Sequence, residues 1–199
     1  MSLSIKIIEQ EPIGTNCYII SDGKGSIVID PGSEIDIPAI KDAITGKLHA
    51  IILTHLHYDH SAASHLFESP VYIHKNELED IKLQNILSQR ALQRDFIKPK
   101  NLQFLKDEMT FGNISFKVIH TPGHTKGGVC LLFEKFIITG DTLFAQTYGR
   151  TDIGGNDEDM LQSLLKLAQL HPNLIVYPGH GQATTISAEK QWILNIKRK

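Results

Sequence analysis

The sequence predicts an α/β protein in which sheets are covered by helices, and three observations carry that reading. Short β-branched runs recur along the chain, segments with helical spacing lie between them, and the order is strands first, then strands alternating with helices. A helical bundle would show neither the period-2 runs nor that alternation.

In chain order, the expected strands are "IKII", "CYII", "SIVID", "AIILT", "VYIH", "FKVIH", "VCLLF", "FIITG" and "LIVYPG". Each is a run of apolar, often β-branched residues, several of them closed by Gly, Pro or Asp. Short helices are expected over 35–44 and 65–67, and a longer one over 77–87. Glu158 to Leu170 places Met160, Leu161, Leu164, Leu165 and Ala168 on one stripe, the pattern of an amphipathic helix. Asn156 or Asp157 would cap it, and acidic residues in the first turn suit the helix dipole. Ser187 to Lys197 is the last helix, with Trp192 packing inward. The least patterned region, Gln84 to Asn101, reads as a mobile flap.

At 199 residues the chain fits a single domain, 1–199, large enough to bury a core. A net charge of -2 with 41% hydrophobic and 21% charged residues excludes disorder and fibre. Basic residues cluster only mildly between Arg94 and Lys106 and at the tail Lys197 to Lys199, so no nucleic-acid partner is expected. Cys17 and Cys130 lack CxxC spacing and sit in apolar runs, which points to buried reduced thiols. The N-terminus does not read as a signal peptide, and no run approaches the ~20 apolar residues of a membrane span. A cytoplasmic protein with no membrane partner is the expectation; the oligomeric state is left open.

The chemistry concentrates in "LTHLHYDHSA", residues 53–62. On extended backbone His55 and His57 point the same way while Leu56 points to the other face. Asp59 and His60 follow where the chain leaves the strand, so the turn can aim them at a neighbouring position. Four candidate ligands in six residues therefore suggest two adjacent metal ions. Later strand ends supply His124 in "TPGHTKGG", Asp141 in "TGDTLF" and His180 in "YPGHG", with glycines beside them that allow close backbone approach. Five histidines and two carboxylates suit zinc, with iron or manganese also acceptable. Asp30, at the end of "VIDPG", is expected to orient the histidine loop by hydrogen bonds rather than bind metal. His49, His65, His74, His120 and His171 fit no ligand pattern.

The set "VIDPG", "THLHYDH", "TPGHT", "GDTLF" and "PGHG", in this order, resembles the metallo-β-lactamase superfamily, and within it the short glyoxalase II-like hydrolases. The resemblance spans about residues 16 to 181. It implies a four-layer αββα sandwich with a dinuclear site at one edge of the two sheets. His55, His57 and His124 would form the first metal site, Asp59, His60 and His180 the second, and Asp141 would bridge both. A shared hydroxide would attack the carbonyl of a small thioester or ester, with Asp59 orienting it and S-lactoylglutathione as the first candidate substrate.

Departures from the family pattern shape the alternatives. Asp141 stands where the superfamily's β-lactamases typically lack a bridging aspartate, which argues against antibiotic hydrolysis. Only 19 residues follow His180, short of the helical extension with which glyoxalase II grips glutathione. "GRTD" within "YGRTDIGG" also occurs in persulfide dioxygenases, which use one iron, so a mononuclear iron dioxygenase is one rival. A non-catalytic metal-binding module is the other. Arg150 could hold a substrate carboxylate or pair with Asp152, and Tyr148 is a further substrate-pocket candidate.

Overall fold

The computed structural model describes residues 3–196; the expected end of the last helix at Lys197 and the basic tail lie outside them. β1 (Ser4–Gln10), β2 (Thr15–Ser21) and β3 (Gly25–Ile29) form an antiparallel meander. The chain then alternates through α1 (Ile37–Ala43), β4 (Lys47–Ile52), α2 (Tyr58–Ser61), β5 (Val71–Ile73), α3 (Ile81–Leu92) and β6 (Leu102–Phe104). Strands β3 to β6 run parallel, as helical crossovers require.

The second half lays down β7 (Glu108–Phe111), β8 (Ile114–His120), β9 (Val129–Leu132) and β10 (Phe136–Gly140) as antiparallel neighbours. α4 (Asp157–Leu167) crosses to the parallel β11 (Ile175–Pro178), and β12 (Thr184–Thr185) precedes α5 (Ile186–Ile196). Two six-stranded sheets result, each in sequential strand order.

Period-2 alternation decides the layers. Tyr18, Ile20, Ile27, Ile29, Ala50 and Ile52 face Phe116, Leu131, Phe136 and Ile138 of the other sheet. Their neighbours Cys17, Ile19, Val28, Ile51 and Leu53 turn outward onto Ile40, Leu56 and the half-buried Ile81. Cys130, Ile137 and Val176 turn outward from the second sheet onto Met160, Leu164, Leu167 and Ile193. Both faces of each sheet are covered, and the four layers run helix, sheet, sheet, helix. Asn156 caps α4 by accepting the Asp159 N–H at 2.9 Å, with Asp157, Glu158 and Asp159 in the first turn and Lys166 in the last.

The flap expected over Gln84 to Asn101 is not what its first half forms: α3 continues to Leu92 and ends where Gln93 takes φ 55°. Its buried residues are Gln84 and Ser88, while Ile86 and Leu92 are exposed, so the apolar pattern that marks a helix is inverted here. β6, β7 and β12 escape the sequence pattern because they are only two to four residues long. Cys17 and Cys130 are free and buried, and burial pushes the Cys130 thiol up to about 11. No helix among the described residues is long and apolar enough to cross a membrane.

Candidate metal centre

The C-terminal ends of β4, β8, β10 and β11 open on one edge of the sandwich, and each delivers part of one cluster. His55 lies three residues past β4; His57 is the residue before α2, whose first turn carries Asp59 and His60. The Ser61 hydroxyl closes that turn on the carbonyls of Leu56 at 2.9 Å and His57 at 3.0 Å. This abrupt switch from extended chain to helix divides His55 and His57 from Asp59 and His60 along the chain, while His55 and His60 still share one group with Asp141. His124 comes from the loop after β8, Asp141 from the residue after β10, and His180 from the loop after β11.

Ligand atoms converge in overlapping groups, His55–His57–His124, His55–His60–Asp141 and Asp59–His60–His180, each within 4.8 Å. His57 Nδ1 and His124 Nε2 are 2.7 Å apart. His180 Nε2 lies 3.2 Å from Asp59 Oδ2 and 3.4 Å from His60 Nε2. Asp141 stands between the groups: Oδ1 is 3.2 Å from His60 Nε2, and Oδ2 is 3.5 Å from His124 Nε2 and 3.6 Å from His180 Nε2. Any side chain at position 179 would collide with this carboxylate, since a Cβ there would lie 2.1 Å from Asp141 Oδ1; hence Gly179.

Outer hydrogen bonds fix which ring nitrogen faces inward. Asp30 is buried at φ 55° beyond β3 and accepts the Thr54 N–H at 2.7 Å and the Thr54 hydroxyl at 2.6 Å. It also accepts His60 Nδ1–H at 3.0 Å. Because the Thr54 hydroxyl is spent on Asp30, its oxygen accepts His55 Nδ1–H at 3.1 Å. His124 Nδ1–H is donated to the Arg150 carbonyl at 2.6 Å. In His55, His60 and His124 the Nε2 lone pair is thereby left for the centre.

These residues fit a bound cation. His55 Nε2, turned to the centre by the bond from Nδ1 to Thr54, is buried with no hydrogen-bond partner, a costly arrangement unless a cation occupies the site. Burial holds His55 and His124 below the ordinary imidazole range and His57 down to about 3, so their lone pairs stay available. His60 differs: burial disfavours its charge, but Asp141 and Asp59 outweigh that and raise it. Without a cation, a proton on His60 compensates these carboxylates; with one, the proton must leave.

Two site residues escaped the sequence reading. Glu77 is buried, with Oε2 accepting the Leu56 N–H at 2.7 Å and Oε1 accepting the Thr125 hydroxyl at 2.5 Å and the Gly127 N–H at 2.8 Å. It ties the His55–His57 segment to the His124 loop, although its place in a helical stretch gave no sign of that. Gln10 likewise joins the β1–β2 turn to the end of β3, through Nε2 to the carbonyls of Thr15 and Asp30 and Oε1 to the amides of Gly32 and Ser33.

Other expectations resolve differently. The Arg150 guanidinium is exposed and paired twice with Asp152, at 2.6 and 2.7 Å, so its contribution to the cluster comes through its carbonyl. Tyr148 stacks on Trp192 with ring centroids 6.2 Å apart. His74 and His120 stack on each other at 4.2 Å, outside the ligand groups.

Residues 11–180 match the family described as the metallo-β-lactamase superfamily. The chain belongs to that superfamily. Among similar metallo-β-lactamase-fold structures, BLEG-1 B3 metallo-β-lactamase shares 33% identity at a TM-score of 0.82, over 96% of this chain and 99% of that one. TTHA1623, solved in a di-iron-bound form, shares 30% identity at a TM-score of 0.79, over 94% and 97%. The probable polyketide biosynthesis zinc-dependent hydrolase PksB of Bacillus subtilis is 34% identical over 176 residues, 83% of this chain and 72% of its own length. Superfamily relatives are thus named for hydrolysis with zinc, and one was solved with two irons.

Proposed function

We propose that the protein is a dinuclear metal-dependent hydrolase of a small thioester or ester, glyoxalase II-like in its centre. The observation that carries the proposal is Asp141 set between two groups of inward-facing histidines, with no thiolate among the ligands and with His180 and Asp59 still partly exposed. A closed structural zinc site would instead surround one ion with four protein ligands.

His55, His57 and His124 would hold one divalent cation, Asp59, His60 and His180 another, and Asp141 would touch both; zinc suits the donors, with iron or manganese as alternatives. Such ions would lower the pKa of a bound water and polarise a carbonyl oxygen. Asp59, held by the Thr15 hydroxyl at 3.1 Å, would accept a hydrogen bond from the attacking water. Water oxygen bonds to the acyl carbon, the C–S or C–O bond breaks, and the departing thiol or alcohol takes the proton. The partner is a small molecule; neither nucleic acid nor a membrane is required.

The mononuclear iron dioxygenase is disfavoured because it gives Asp59, His60 and His180 no role, yet these three converge within 4.8 Å. The test is steady-state hydrolysis of S-lactoylglutathione and a panel of thioesters, esters, lactones and β-lactams by protein of measured zinc, iron and manganese content. Turnover of a thioester or ester with two metals per chain is expected. No turnover of either at full occupancy, or oxygen consumption with glutathione persulfide at one iron per chain, would sink the proposal.

A further inference from the structure

A cleft of about 270 Å³ opens beside the centre, between the β1–β2 turn, the loop after β3 and the C-terminal end of α3. Thr15 and Asp59 line it, and Asp59 also belongs to the ligand group, so cleft and centre are continuous. Its apolar walls come from Pro12, Ile13, Ile35 and Leu92. Ile13 is 45%, Ile35 74% and Leu92 37% exposed, and these three gather at one opening. A concave apolar patch next to a reactive centre is the usual form of a ligand subsite.

Charge narrows the occupant. Arg94 is the cation lining the cleft, and it is ion-paired with Glu34. Glu11 adds a carboxylate. Among the described residues, an anionic tail such as a glutathione carboxylate finds no free cation here, whereas a neutral hydrocarbon finds walls it can desolvate. The cleft is also held open in advance: Gln10 pins the β1–β2 turn to the loop after β3 with four hydrogen bonds.

We infer that this cleft is the acyl subsite, and that the substrates are thioesters or esters of uncharged, apolar acyl groups longer than lactoyl. A chain lying along Ile13, Ile35 and Leu92 brings its carbonyl to Asp59, and the thiol or alcohol carrier leaves on the other side of the centre. The inference rests on the hydrolase reading for its chemistry, but not for its binding.

The test uses the zinc-loaded full chain and the carboxylates from acetate to octanoate, with the methyl groups of Ile13 and Ile35 followed by NMR. Hydrolysis of the matching N-acetylcysteamine thioesters is measured in parallel. Affinity should rise roughly 4-fold per added methylene, with both isoleucine methyls shifting, and Ile35→Asp should flatten the series. Affinity independent of chain length, with thioesters hydrolysed, overturns the acyl subsite and leaves the hydrolase standing. A steep series with no hydrolysis at two metals per chain upholds the subsite and overturns the hydrolase. A flat series without hydrolysis overturns both. Methyl shifts that follow protein concentration alone make the cleft a face between two copies of the chain, which also overturns the inference.

Discussion

His60 Nδ1 and Asp30 Oδ2 are 3.0 Å apart, and both side chains are buried. The same carboxylate binds Thr54, whose hydroxyl oxygen accepts from His55, so a residue outside the ligand groups sets one ring in each of them. Asp30→Asn keeps the shape and removes the charge. Metal affinity should fall about 10- to 100-fold, read by competition with a chromophoric chelator. Unchanged affinity would mean that packing alone holds the rings.

Asp141 lies within 3.6 Å of His60, His124 and His180, which the proposal divides between two metal sites, and this predicts a joint loss. Asp141→Asn should release both metals and remove most turnover, whereas His65→Ala, a residue bonded to the Ala62 carbonyl at 2.8 Å, should leave metal content intact. Elemental analysis with steady-state rates checks both. An Asp141→Asn protein with two tightly held metals and normal rates would refute the bridging role.

Glu77 joins two loops through one buried carboxylate, and burial raises its pKa despite three hydrogen bonds that favour the charge. Glu77→Gln turns one acceptor into a donor facing donors, at a cost of about 1–3 kcal/mol. Cobalt substituted at His55, His57 and His124 should then show altered visible absorption, because His124 shifts relative to His57. A lower denaturation midpoint with an unchanged cobalt spectrum would confine Glu77 to stability.

Asp22 supplies the pH dependence. The N–H groups of Lys24, Asn113 and Gly25 hold its carboxyl down to about 2. An unfolded chain protonates near 3.9, so the unfolded state binds the proton first as pH falls. The stabilisation is therefore complete above about pH 4 and disappears through about pH 2. Denaturation midpoints with chelator present should decline more steeply over that window in the native protein than in Asp22→Asn. Parallel curves would show that Asp22 does not carry the effect.

The site was legible where its chemistry is local. His55, His57, Asp59 and His60 lie within six positions, and Gly beside His124, Asp141 and His180 marks strand ends. Asp30 was legible because a carboxylate closing an apolar strand needs donors. Glu77 was not, since its partners Leu56, Thr125 and Gly127 are distant in sequence and the residue itself sits in an ordinary helical pattern. The far end of α3 hid for a related reason: Gln84 and Ser88 occupy its buried face, and Leu92 is turned to the cleft. Only contacts formed after folding distinguish such residues from surface ones.

The two sheets are stitched at the same edge where the ligands gather. Asn16 donates its N–H to the Gly179 carbonyl at 2.7 Å and its side-chain amide to Pro178 and Gly181, and the Tyr18 hydroxyl reaches the Pro178 carbonyl at 2.5 Å. Each triad also draws members from both halves of the chain. Ions seated there would act as rivets across a seam, so prying the halves apart and emptying the centre become one event.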